Sequence, residues 1–244
     1  TNNELAVAKD VYRQVLKIQP DSPVALRELV KLYVAGQEYA EAEQTLSDRL
    51  KRHPDDGVAS RVLVDLLLGQ GKKDQAAAEA QRMAALPSQG GLGELSMGRV
   101  LAEQQNYDAA AEAFRKSMAA GSGNDPLAIE GLVRALNAAG KRQEALALLN
   151  QLKAGTGKDN GVFSDLLRAD IYGQSGDRTQ AAQALESAIK ARPDIADGYL
   201  ELAIVYAGDP AAQIKIYQRG MKALPGNAYI GLPLAVTLEE AGQY

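Results

Sequence analysis

An alanine returns at an almost constant interval along this chain. The series is Ala8, Ala42, Ala76, Ala110, Ala145 and Ala181, with steps of 34, 34, 34, 35 and 36 residues. A fixed period in this range is typical of an array in which one small supersecondary unit stacks on the next. The period therefore predicts a repeat array, which constrains the fold class before any single helix is considered.

Other residues keep the same register as the alanines. A large apolar or aromatic residue follows most of them by four positions, at Tyr12, Leu46, Phe114, Leu149 and Leu185. A glycine or glutamine precedes them by five positions, at Gln37, Gly71, Gln105, Gly140 and Gly176. A small alanine lets two helices approach, and the residue four positions later lies on the same helical face. Glycine supplies the positive φ of a turn that ends a helix, so the pattern predicts helix pairs joined by short turns.

These residues make the chain resemble the tetratricopeptide repeat family, whose unit of 34 residues folds as two antiparallel helices. One well-matched stretch is 23–56, which carries Leu26, Leu29, Tyr33, Ala42, Leu46 and Pro54. The chain departs from the family in having no tryptophan, and Gly208-Asp209-Pro210 replaces one of the usual glycine turns. The resemblance implies an all-α, right-handed solenoid of antiparallel helix pairs. At the unusual turn, Asp209 can cap the next helix and Pro210 fits its first position.

The register divides the chain into a single array of six full repeats with a half repeat at each end, fourteen helices in all. The full repeats are predicted at 23–56, 57–90, 91–125, 126–161, 162–195 and 196–227. Residues 1–20 match only the second helix of a repeat, and residues 228–244 match only the first. We therefore expect a piece of a longer array, in which Ile230, Leu232 and Leu234 lack a following partner helix. Such an end favours fraying or end-to-end self-association.

Composition and motifs weigh against several functions. A net charge of −4 disfavours nucleic-acid binding, which needs a basic footprint. The absence of cysteine excludes disulfides and thiolate metal sites, and the single histidine, His53, is predicted to be an exposed turn residue. Gly155-Thr156-Gly157-Lys158 resembles the end of a phosphate loop but lacks a following Ser or Thr and a preceding strand. No apolar run is long enough to span a membrane. We therefore predict no catalytic residue, cofactor or metal.

The resemblance also implies where a partner binds, because the first helix of each repeat lines the concave surface in this family. Counting each predicted repeat from its first residue, positions 2, 5, 9, 12 and 13 face the groove. In the earlier repeats these positions include five basic residues, namely Arg27, Lys31, Arg61, Arg99 and Arg134, with Asp65 and Glu130 interspersed. In the later repeats they are mostly apolar, namely Phe163, Leu166, Leu200, Ile204, Tyr229, Leu232 and Val236, with Asp170. The groove is thus predicted to be basic early and apolar late. The alternatives are that the charges are merely solvated, and that the apolar residues pack against the next turn of the array or against the missing partner helix.

The function predicted from these features is a non-enzymatic scaffold that holds a partner peptide or helix in its groove. The family's clamp for chaperone C-termini is disfavoured, because Arg27, Lys31 and Val62 occupy positions where that clamp needs one lysine and two asparagines. A long, cysteine-free array rich in Ala and Gln resembles bacterial envelope proteins that organise secretion or exopolysaccharide export, which favours the periplasm or cell envelope. A cytosolic chaperone or assembly factor, and the regulatory region of a larger enzyme, remain alternatives.

Overall fold

A computed structural model describes residues 2–122, 125–154 and 158–242 of the chain. Within these residues the chain forms fourteen α-helices, one short π-helical segment and no strand, so the fold is the all-α helical-repeat solenoid that the sequence predicts. The helices are α1 Asn2–Ile18, α2 Pro23–Ala35, α3 Tyr39–Arg52, α4 Gly57–Gly69, α5 Lys73–Ala84, α6 Gly90–Glu103, α7 Tyr107–Ser117, α8 Pro126–Ala138, α9 Arg142–Ala154, α10 Lys158–Gln174, α11 Arg178–Ala191, α12 Ala196–Val205, α13 Pro210–Ala223 and α14 Ala228–Glu240. The π-helical segment, Met118–Ser122, follows α7 directly.

The helices group into two compact units, Thr1–Ala135 and Leu136–Tyr244. From α1 to α7 and from α9 to α14, helices that follow one another in sequence pack against each other. Because most connections have only a few residues, such neighbours run in opposite directions, as in an αα-hairpin. The boundaries of the individual repeats stay a prediction.

The turns inside the helix pairs form where the sequence places them. The residue five positions before each of the last five repeating alanines has a positive φ, with values of 59° at Gln37, 72° at Gly71, 61° at Gln105, 77° at Gly140 and 76° at Gly176. The next residue then closes the helix end, as where Glu38 N–H donates to the Tyr33 carbonyl at 2.8 Å. Glycine adopts this conformation without steric cost, whereas glutamine at two of the five turns occupies a region that non-glycine residues visit less often.

Side-chain caps begin several helices. Ser22, Asp56 and Asp177 each accept a hydrogen bond from a backbone N–H three residues later. Asp209 does the same, accepting from Ala212 N–H at 3.0 Å, and Pro210 occupies the first helical position of α13. These oxygens satisfy N–H groups that have no partner inside a helix. The predicted function of Asp209 and Pro210 as the start of a helix is confirmed.

Five of the six repeating alanines lie in the core. Ala42, Ala76, Ala110, Ala145 and Ala181 are fully buried. Beside Ala42, the inner face of α2 contributes Leu26, Leu29 and Tyr33 to a core cluster. The small side chain thus allows the approach that the period predicts.

Replacing Ala181 with leucine should overpack this contact. We expect the free energy of unfolding to fall by roughly 1–3 kcal/mol, because a well-packed core cannot accept a larger side chain without shifting its neighbours. Urea denaturation followed by circular dichroism measures the change. Gln183→Leu introduces the same side chain at an exposed site on α11 and should cost far less. Equal denaturation midpoints for the two variants would contradict the burial of Ala181.

The structure corrects the expectation for the last helix. Ile230 is fully buried although no helix follows α14 in the described chain. It joins a core cluster with Tyr199 of α12 and Tyr217 of α13, and Leu234 is half-buried against the same cluster. The expectation that Ile230 and Leu234 form an exposed end for lack of a following helix is therefore wrong, because a first helix also packs on the helix pair that precedes it. Of the three residues, only Leu232 is exposed.

Candidate partner-binding surface

The first unit contains a cleft between α2 and α4, which we call the α2–α4 cleft. Its volume is about 590 Å³. Val30, Val34, Ala35 and Tyr39 line one side, Val62, Leu66 and Gly69 line the other, and Arg27, Lys31 and Asp65 complete the lining. The predicted site residues Arg27 and Lys31 thus border the α2–α4 cleft, whose largely apolar lining was not predicted from the sequence.

Arg27 and Lys31 share one carboxylate. Arg27 Nε donates to Glu28 Oε1 at 3.2 Å, and Lys31 Nζ donates to the same oxygen at 3.0 Å. These hydrogen bonds, from Lys31 first and then from Arg27, hold the pKa of Glu28 below its usual range. Both cations are largely exposed. Because one carboxylate serves two cations, the edge of the cleft keeps an excess of positive charge.

Asp65 connects the cleft to the basic residues of α4 and α6. Its carboxylate forms an ion pair with Arg99. Burial raises the pKa of the Asp65 carboxyl, and the charges of Arg99 and Arg61 oppose that shift. Three predicted residues, Arg61, Asp65 and Arg99, are therefore electrostatically coupled. Arg134, in contrast, pairs with Glu130 of its own helix at 2.9 Å and does not line the cleft.

The second unit carries an exposed apolar surface on α12 and α14, which we call the α12–α14 face. It consists of Ile204, Tyr229, Leu232 and Val236, which are 68%, 78%, 69% and 53% exposed. Residues three and four positions apart share one side of a helix, so the three residues of α14 lie together. Leu166 and Leu200, also predicted groove residues, are half-buried against the core beside this face, and Phe163 on α10 is half-buried.

The positions that form this face on α14 are also exposed on another first helix, α2. Tyr229, Leu232 and Val236 occupy repeat positions 2, 5 and 9, counted from Ala228. The same positions on α2, a helix with its complete pair, hold Val24, Arg27 and Lys31, which are also exposed. Exposure at these positions varies along the chain, since Leu166 and Leu200 at repeat position 5 on α10 and α12 are half-buried.

The structure also shows a buried ion cluster that sequence reasoning missed. Asp165 is only 2% exposed, and Lys153 Nζ lies 2.7 Å from one of its carboxylate oxygens. Arg168 donates a hydrogen bond to the Asp165 carboxylate at 3.0 Å, and the Ser187 hydroxyl donates another at 2.6 Å. These contacts join α9, α10 and α11. The sequence does contain one indication of this cluster. Asp165 occupies repeat position 4, where other repeats carry core residues such as Leu26 or Tyr199.

His53 lies at the C-terminal end of α3, half-buried, with Nε2 2.6 Å from Asp21 Oδ1. Arg49 and Arg52 pair with the same aspartate, so the histidine belongs to a surface ion cluster. Across the described ranges, no group of three or more His, Cys, Asp or Glu residues could hold a metal ion. The glycine-rich residues 155–157 lie outside the part of the chain that the structure describes.

In the portions of the chain that the structure describes, no helix combines the length and the apolar character needed to cross a bilayer.

Comparison with known proteins identifies the family. A tetratricopeptide repeat profile matches residues 2–59 and 101–168, more than half of the chain, and a second profile of the same description matches residues 166–228. The chain belongs to the tetratricopeptide repeat family. Proteins of this family are typically non-catalytic scaffolds that bind peptides or proteins. In general terms, this chain is therefore an interaction scaffold.

Individual relatives are more distant. Cellulose synthase operon protein C of Xanthomonas axonopodis pv. citri (strain 306) is 27% identical over 267 residues, which cover 99% of this chain. This chain spans only 17% of the length of that relative. The crystal structure of a tetratricopeptide repeat protein from Parabacteroides merdae ATCC 43184 matches with a TM-score of 0.62 and 16% identity, covering 97% of this chain and 93% of that one. PilW, a widely conserved type IV pilus biogenesis factor, matches with a TM-score of 0.59 and 18% identity, covering 84% and 92%. These structural likenesses show the fold.

Proposed function

We propose that this chain is a scaffold that binds a partner protein along the first helices of its repeats, within a bacterial envelope assembly that exports an exopolysaccharide. The observation that carries the proposal is the α12–α14 face. Its four large apolar side chains are each more than half exposed. Large apolar side chains left exposed in this way often mark interaction sites.

The chemistry of the first helices supports a peptide or helix as the bound element. Tyr229 offers a large aromatic anchor, a residue type that often dominates binding energy. Leu232 and Val236 extend the same stripe along α14 by one and two further turns. A stripe of this length fits the apolar side of a partner helix or an extended segment.

Two observations support a location in the bacterial envelope. The similarity to cellulose synthase operon protein C runs along 99% of this chain. The chain also has no cysteine, which suits an oxidising compartment such as the periplasm. The similarity covers only 17% of the relative's length, so membership of an export assembly is part of the proposal.

Photo-crosslinking in the native bacterium tests the proposal. A photoreactive phenylalanine analogue in place of Tyr229 should capture an envelope protein of the export assembly, identified by mass spectrometry. The matched control places the analogue at Gln183, which is exposed on α11, a second helix. Capture at Gln183 but not at Tyr229 would contradict a first-helix interface. Capture of a cytosolic client or of an enzyme domain would instead favour one of the alternatives given by the sequence.

The captured partner then allows a quantitative measurement. Tyr229→Ser combined with Leu232→Ser should weaken binding by about thirty-fold, the effect of losing roughly 2 kcal/mol at an interface hot spot. Tyr206→Ser is the matched control, because Tyr206 is an exposed tyrosine outside the α12–α14 face. Isothermal titration calorimetry gives both affinities. A weakening of the same size in the control would show that the loss does not arise from the face.

A further inference from the structure

We propose that the α2–α4 cleft binds a segment of the partner in which one acidic residue is flanked by aliphatic residues. The inference rests on the proposed function, since it assumes that the first helices form the binding surface. It adds the chemistry of the bound segment and assigns a specificity-determining residue, Asp65. Three observations carry it: the shape of the cleft, its excess of positive charge and the position of Asp65.

The shape of the cleft favours aliphatic side chains around a central polar contact. Along α2, the exposed residues run from Val24 through Arg27 and Lys31 to Val34. The two cations therefore lie between apolar residues at either end. The cleft beside them has a volume of about 590 Å³, within the range of pockets that bury small ligands. A segment lying across it can place aliphatic side chains in the cleft while a neighbouring carboxylate meets the cations.

The charges around the cleft favour an acidic group. Two cations, Arg27 and Lys31, line it, and two more, Arg61 and Arg99, interact with Asp65, which also lines it. The carboxylates paired with or coupled to these cations are two, Glu28 and Asp65. The local balance is therefore positive by two charges, although the whole chain has a net charge of −4. Complementary charge of this kind selects partners and speeds their encounter.

Asp65 limits how much acid the cleft accepts. Its carboxylate lines the cleft and pairs with Arg99 on the neighbouring helix α6. A carboxylate of the partner that approaches these arginines must share them with Asp65, and two like charges at short range repel. The arrangement therefore suits a single acidic residue near Arg27 and Lys31 better than a run of acids.

Peptide binding to the full chain tests the preference. The probe is a fluorescein-labelled synthetic peptide with one glutamate between leucines, in a glycine and serine background. Matched peptides replace the glutamate with glutamine or lysine, or replace the leucines with serine. Fluorescence anisotropy should show that the parent peptide binds at least about ten-fold tighter than each matched peptide, since both the charge and the aliphatic contacts are needed. Equal affinities would overturn the proposal.

Variants then locate the bound peptide. Gly69→Phe should fill the cleft and weaken binding at least about ten-fold, and it should leave the fold intact because a Cβ there has no atom within 4 Å. Gly173→Phe, at a helical glycine of α10 with equally open surroundings, is the matched control. Lys31→Glu should weaken binding by a similar factor, through loss of a cation and gain of a like charge. Unchanged affinity in Gly69→Phe would overturn the assignment to this cleft.

Asp65→Asn has the opposite expected result. It should strengthen binding by roughly three- to ten-fold, because it frees Arg61 and Arg99 for the carboxylate of the peptide. Asp170→Asn, at the same repeat position on α10, should leave affinity unchanged. If the peptide instead loses binding in the variant that combines Tyr229→Ser with Leu232→Ser and keeps it in Gly69→Phe, the inference fails and the proposed function stands. If the peptide preferences hold and no partner is captured at Tyr229, the proposed function fails and the cleft assignment stands.

Discussion

Replacing Gly93 with alanine should separate α5 from α6 and lower the free energy of unfolding by about 3 kcal/mol, at the upper end of overpacking costs. A Cβ atom at Gly93 would lie 2.2 Å from the backbone nitrogen of Ala84 and 2.4 Å from its Cα. These neighbours are backbone atoms, so no side-chain rotation can relieve the contact. The two helices must move apart, which opens the packing that both share with their neighbours.

Gly173→Ala provides the matched comparison. Gly173 also lies in a helix, α10, but a Cβ there meets nothing within 4 Å. Alanine should therefore stabilise the protein by roughly 0.5–1 kcal/mol through its better helix propensity. Chemical denaturation followed by circular dichroism measures both variants. A stabilising effect of Gly93→Ala would contradict the close approach of α5 and α6.

Asp165→Leu should cost about 3–5 kcal/mol, because removing one partner of a buried ion cluster leaves the others without compensation. Arg168 is mostly buried and would lose its carboxylate partner, keeping only its contact with Asn150 at 2.8 Å. Lys153 is more exposed and can move its ammonium into solvent, so it contributes less to the penalty. The loss is measured as the shift in denaturant midpoint against the unmodified chain.

A triple variant tests whether the penalty arises because the remaining buried charges have lost their partner. Lys153→Met and Arg168→Met, added to Asp165→Leu, remove every charge of the cluster and should restore most of the lost stability. Well-packed apolar side chains can replace a buried ion cluster at little cost. If the triple variant is less stable than Asp165→Leu alone, the charges contribute to stability by a route other than mutual compensation.

Local features of the structure were predictable from the sequence. The turn residue at Gly176 and the helix start at Asp209 and Pro210 depend on φ preferences and on hydrogen bonds to residues a few positions away. Such preferences act within the segment that carries them. The period of the alanines extends this local information to the whole array, because each repeat uses the same contact again.

The ends of the array show where this reasoning stops. The sequence suggested that Ile230 is exposed for lack of a following helix, yet the residue is fully buried against α12 and α13. A repeat pattern shows which residues of a helix are apolar. A first helix, however, can pack both on its own second helix and on the preceding helix pair. Which neighbour buries a given residue depends on how the helices cross.

By itself, the sequence determined the helical-repeat fold, the turns and the caps of this protein, and it identified which positions of the first helices carry charged or apolar residues. Whether those residues act together in binding remains a prediction. The tertiary structure alone brought Arg27, Lys31 and Asp65 to one cleft and surrounded Asp165 with partners from three helices. The reason is physical: burial, ion pairing and cleft shape depend on distances between side chains far apart in sequence, and helix packing sets those distances.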